Sequence, residues 1–132
     1  MLHLRLNLLA RSLVALLFIV AGVRKVLHYD FVLSYFGSLG LPMPQIVLPA
    51  TITLELVCGV ALIMGWKLRW VIPVLGLFCL GTAVVAHDFW NAGAAQYDSQ
   101  LNNFLKNLAI AGGFLTLALW TNEKEPVPGV VA

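Results

Sequence analysis

Long apolar stretches alternate with short polar ones along this chain, at the scale of membrane spans rather than of single helical turns. A helix needs about 20 mostly apolar residues to cross the hydrocarbon core of a bilayer. Four segments meet that requirement: about Leu6 to Val26, Ile46 to Trp66, Trp70 to Ala86 and Phe104 to Trp120. The connections between them differ in kind. "HYDFVLSYFGSLGLPMPQ" is aromatic and then rich in Gly and Pro. Its Phe31, Tyr35 and Phe36 predict an aromatic face on a short helix lying at the interface, ended by Gly37, Gly40 and Pro42. "WKLR" is a tight turn, "HDFWNAGAAQYDSQLNN" is polar and long enough to form a lid, and the tail "TNEKEPVPGVVA" reads as disordered at its end. The pattern therefore predicts an all-α protein, a transmembrane four-helix bundle with a short interfacial helix between spans 1 and 2.

Composition strengthens this reading. The chain has 132 residues, 61% hydrophobic and only 11% charged, whereas a soluble domain carries about a quarter charged residues to cover its surface. A net charge of +2 without a basic run gives no footprint for nucleic acid. The N-terminus "MLHLRLNLLARSLVALLFIVAG" has the basic start, apolar middle and small-residue end of a signal peptide. Arg11 interrupts it and three more apolar spans follow, so the first span is read as retained. An even number of spans puts both termini on one side. That side would hold Arg5, Lys67, Arg69 and Lys124 against Arg24, Lys25 and Lys106 on the other, a positive-inside bias that favours cytoplasmic termini.

The few charges fall on defined helix faces, since side chains three and four apart share a face. Arg11, Ala15, Phe18, Gly22 and Lys25 form one stripe, and Thr51, Glu55, Cys58 and Gly59 a second. Gly76, Cys79, Ala83, His87 and Trp90 form a third, and Lys106, Ile110 and Gly113 a fourth, with Asn107 beside them. Polar residues among small ones are the composition of close helix contacts in a bilayer, which predicts that the ionisable groups point inward. Glu55 lies about nine residues below the outer end of its span and Arg11 about five above the inner end of the first, a difference in depth of about 5–8 Å. A long Arg side chain spans that gap, so a buried Arg11–Glu55 ion pair is expected. Unpaired, a charge at that depth costs at least about 2.5–3.5 kcal/mol. A second cluster, Lys25, His87, Asp88, Lys106 and Asn107, would lie at the outer ends of three spans, with Trp90 and Tyr97 nearby. A basic, hydrogen-bonding rim above an apolar interior suits the head group of a quinone or another lipid.

Plainer readings stand beside these. The ion pair can act only as a pin for helix register. Lys25 and Lys106 can snorkel to phosphates, and Phe89, Trp90 and Tyr97 can be belt anchors. Cys58 and Cys79 form no CxxC, and His3, His28 and His87 are too scattered to hold a metal. No P-loop, dinucleotide fingerprint, nucleophile elbow or haem motif is present in the sequence, so no reaction is specified.

Taken in order, "RSLVALLFIVAGVRKV", "LPMP", "LELVCGVALIMGWKLR", "HDFW" and "NNFLKNLAIAGGFL" resemble the DoxX family of small four-span bacterial membrane proteins. The resemblance runs from about Leu6 to Trp120 and implies a single membrane domain over 1–132 in the bacterial inner membrane. The family name comes from similarity to the membrane subunit of archaeal thiosulfate:quinone oxidoreductase, and other members are linked to oxidative-stress protection. It thus implies a quinone-binding, redox-accessory subunit that works with a partner protein or as a homo-oligomer. More distant eukaryotic relatives look like cargo receptors or assembly chaperones, which keeps a non-catalytic role, recognition of a partner's helices, open as the alternative. A proton or small-solute path through His87, Glu55 and Arg11 is a third reading.

Overall fold

A computed structural model describes residues 2–122, with side chains described for residues 5–119. The secondary structure of the described residues is helical throughout: α1 (Leu2–Leu27), α2 (Tyr29–Ser38), α3 (Pro44–Met64), α4 (Leu68–Ala86) and α5 (Ala94–Asn122), with a 3-10 turn at Phe89–Asn91 before α5. Three stretches are long and apolar enough to cross a membrane, Arg5–Leu27, Pro44–Met64 and Leu68–Asn91. The first three expected spans are therefore met within a few residues. The expectation for the tail beyond Asn122 lies outside the described residues.

The chain forms two compact units that divide between Lys67 and Leu68. In the first, α1 and α3 lie antiparallel along a shared line of small residues. Arg11 stands against Gly65, Ala15 and Ile19 against Gly59, and Gly22 against Leu56 and Glu55. A Cβ on Gly22 would come within 2.8 Å of Leu56, and one on Gly59 within 2.9 Å of Ile19. Only hydrogen fits at these two crossings, which is how small residues let membrane helices approach closely. The anticipated stripe on α1 is the packed one: Ala15, Phe18 and Gly22 are buried. On α3 the buried positions Leu48, Glu55, Gly59 and Leu62 recur at helical spacing.

The short helix anticipated between the first two spans is α2. It runs through Gly37 and stops at Ser38, with Gly40 at φ +71 beyond it, and packs on α3 while Phe31 stays exposed. α3 ends at Gly65, whose φ of +73 provides the left-handed C-cap and lets its own N–H and that of Trp66 bond the carbonyls of Leu62 and Ala61.

In the second unit α4 buries Val71, Ile72, Leu75, Gly76, Cys79 and Ala83. α5 meets it at Gly76, where an added Cβ would lie 3.4 Å from Phe114, and contributes buried Ala111 and Phe114. Two expectations are corrected here. α5 starts at Ala94, ten residues before the expected span, so most of the supposed lid is helix. Its outer turns are polar, but Tyr97, Gln100, Leu101 and Phe104 recur at helical spacing, and that face packs. The stripe of Lys106, Ile110 and Gly113 is not the buried one, because Lys106 and Gly113 are exposed and the buried line passes through Ala111 and Phe114.

The line of close approach in the first unit predicts opposite outcomes for two glycines. Gly59→Ala, which must displace Ile19, should destabilise the protein by about 1–3 kcal/mol. Gly81→Ala, which meets open space on α4, should be neutral or stabilise by up to about 1 kcal/mol. Thermal unfolding in detergent followed by circular dichroism reads both, and the reverse order would contradict the packing described.

Candidate functional site

Polar side chains gather in two places, one in each unit. In the first unit, α3 carries Glu55 halfway along its length, where the carboxylate is nearly closed to its surroundings at 3% exposure. Lys25, in the last turn of α1, extends its ammonium to both carboxylate oxygens, at 2.7 Å to Oε1 and 2.8 Å to Oε2. These are lengths of charge-assisted hydrogen bonds. The position is set by the antiparallel register: Gly22 faces Glu55, and Lys25 follows three residues later on the same face of α1. The cation also sits where the C-terminal end of the α1 dipole favours it.

This arrangement corrects the expected Arg11–Glu55 pair. Arg11 lies level with Gly65, ten residues and therefore about 15 Å along the axis from Glu55, too far even for an arginine. The depth estimate failed because α1 runs about nine residues beyond the end of α3, so Arg11 stands level with the α3 cap rather than within its span. Lys25, expected at a ligand head group, is the residue Glu55 takes up instead.

The second gathering lies where α4 ends and α5 begins. His87 Nδ1 lies 3.0 Å from Gln100 Oε1. With that oxygen accepting, Nδ1 carries the hydrogen and Nε2 is left as an acceptor, which no described group bonds. Asp88 Oδ2 accepts a hydrogen bond from Asn91 Nδ2 at 3.1 Å, closing the 3-10 turn. That turn sets Phe89 edge-on to Trp90, Tyr97 and Phe104, with centroids 5.1, 5.9 and 5.2 Å away. Trp90 also meets Phe104 edge-on at 6.0 Å. Such contacts each contribute about 0.5–1.5 kcal/mol beyond area burial and hold the connection in one shape.

His87 and Asp88 are chain neighbours with separate partners, Gln100 and Asn91. Lys106 is exposed and bonds none of the described residues, while Asn107 turns back to donate to the Asn103 carbonyl of its own helix at 3.0 Å. Neither joins the His87 group. Gln100 went unnoticed in the sequence because it lay in a stretch read as loop; its helical spacing from Tyr97 and Phe104 was the available signal. No group of three or more potential metal ligands occurs among the described residues.

Comparison with known proteins gives a consistent picture. The DoxX family model matches residues 6–88. The chain is 34% identical to the inner membrane protein YphA of Escherichia coli strain K12, over 86% of this chain and 81% of that protein. It is 36% identical to the inner membrane protein YqjF of the same strain, over 85% and 81%. No solved structure matches.

The ion pair predicts a non-additive pattern. Lys25→Met should destabilise the protein by about 3–5 kcal/mol, since it leaves the buried carboxylate without its partner, and Glu55→Leu by less, since the Lys25 ammonium is part-exposed and can turn to water. The double change should recover most of that loss. Thermal unfolding in detergent measures the cycle, and additive losses would exclude the pair.

Proposed function

This chain belongs to the DoxX family of integral membrane proteins, and on that premise we propose that it is a redox-accessory subunit that holds a quinone or similar lipid beside a partner oxidoreductase. The observation that carries the reading is His87. One ring nitrogen is fixed by Gln100, and the other is an unbonded acceptor among the described residues, next in sequence to an aromatic cluster. A quinol hydroxyl donates to such a nitrogen, and an apolar ring edge suits the quinone ring and the start of its tail. Asp88 adds a second acceptor at the same level. The carboxylate of Glu55, already matched by Lys25, serves the packing of α1 and α3 rather than the ligand.

In this reading α5 is the fourth membrane span. Its 29 residues measure about 43 Å, enough to cross the core and raise its polar first turns above it. Both termini are cytoplasmic, with Arg5, Lys67 and Arg69 on that side, and the membrane is the bacterial inner membrane named for the two relatives. In this reading electrons come from the partner. A second reading, an assembly or cargo protein that recognises a partner's helix, has the exposed Gly112 and Gly113 on α5 in its favour.

Mass spectrometry of lipids that co-purify in mild detergent tests the choice. Quinone should be enriched with the wild type and fall about tenfold in His87→Leu, the loss expected for one hydrogen bond in a dry site. Lys106→Ala should retain it. Absence of quinone from the wild type would favour the second reading and turn the search to a protein partner.

A further inference from the structure

The far end of the first unit, where α1 begins and α3 ends, holds a cation that bonds none of the described residues. Arg11 is half-buried against Gly65, and its Nε is closed off without a hydrogen-bond partner. The guanidinium makes no other hydrogen bond or ion pair among the described residues. The closed-off Nε is out of a ligand's reach, but the two terminal nitrogens, which carry four more N–H donors of the fixed fork, are not closed off and bond none of the described residues.

The first unit has no anion to spare for it. Its acidic residues are Asp30 and Glu55. Glu55 is taken by Lys25, and Asp30 begins α2, at the opposite end of α1. Two more cations belong to this end of the helix pair. Lys67 follows Gly65 by two residues and holds its ammonium 5.2 Å from the centroid of the Trp66 ring, and Arg5 lies six residues earlier on α1, about 9 Å along the axis. The level is also specific. Gly65 is the residue after the last of an apolar stretch, and exposed Trp66 is the residue type that settles at the head-group level of a bilayer.

An unbonded guanidinium fork, further positive charge and an indole at head-group depth together call for a phosphate anchored in the membrane. We propose that Arg11 binds the phosphate of an anionic phospholipid at this end of the α1–α3 pair, with Lys67, two residues past Gly65, adding positive charge. Arginine suits the role because its fork takes two phosphate oxygens at once. Gly65 supplies the left-handed cap of α3, and the tip of the guanidinium rests against it where a Cβ would otherwise stand. Arg5 adds charge that concentrates anionic lipid without contacting the bound phosphate. The proposal does not depend on the quinone reading, which concerns the second unit.

The test is thermal unfolding of the full chain in a neutral detergent, titrated separately with short-chain phosphatidylglycerol, short-chain phosphatidylcholine and inorganic phosphate. Phosphatidylglycerol should raise the melting temperature in a saturable way, with phosphatidylcholine and inorganic phosphate far weaker. Arg11→Gln should weaken the phosphatidylglycerol response about tenfold or more, as expected for a lost charge-assisted hydrogen bond, and Arg11→Lys should fall between. Lys67→Gln, outside the packed interface, provides a second variant with a smaller loss if Arg11→Gln does not fold. A wild type that responds equally to both lipids, or to neither, would overturn the proposal, as would an Arg11→Gln variant with an undiminished response. Equal stabilisation by inorganic phosphate would overturn the lipid as its source.

Discussion

A carboxylate placed halfway along a membrane helix demands a cation at its own level, and the packing of α1 on α3 follows from supplying one. Gly22 and Gly59 remove the side chains that would hold the two helices apart, and Leu56 and Ile19 fill the space they leave. At that separation Lys25 reaches both oxygens of Glu55. The glycines set how closely the helices approach, and the ion pair adds a polar match at one level of that line. Once that register is fixed, it also decides where Arg11 stands, at the end of α3 and not within it.

The two ends of this helix pair therefore treat charge differently. At one end an ammonium and a carboxylate neutralise each other inside the protein. At the other a guanidinium rests against Gly65 and bonds none of the described residues. The second unit uses a third device: the rings of Phe89, Trp90, Tyr97 and Phe104 hold the connection between α4 and α5, and His87 is oriented by Gln100 while keeping one nitrogen open. Family membership accounts for the helices; these local arrangements are where a specific activity has to be sought.

Much of the helical layout was legible because a bilayer imposes a length on each apolar run, and the stripe from Ala15 to Gly22 was legible because burial follows helical spacing. Partners were harder to read. Arg11 and Lys25 share one stripe, and a choice between them depends on the vertical offset of α1 against α3. That offset comes from where Gly22 and Gly59 interlock, which span ends estimated from hydropathy do not contain. The early start of α5 was hidden for a related reason. Hydropathy sees Gln96, Asp98, Asn102 and Asn103 as a polar connection, while the aromatic face at Tyr97 and Phe104 makes the same residues one side of a helix.

The 30 residues that separate Lys25 from Glu55 also order events at the ribosome. At about 5–20 residues per second, α1 is complete roughly 1.4–5.6 s before the carboxylate emerges. Lys25 can wait during that interval, since it lies in the last turn of its helix and its long stem lets the ammonium stay with water. Glu55, fixed on a shorter side chain halfway along α3, has no such refuge. The residue that tolerates waiting is made first, so α3 enters the membrane beside a helix already carrying its counter-ion. A chain that presented these two helices in the reverse order would reach the same contacts by way of an unaccompanied carboxylate in the bilayer.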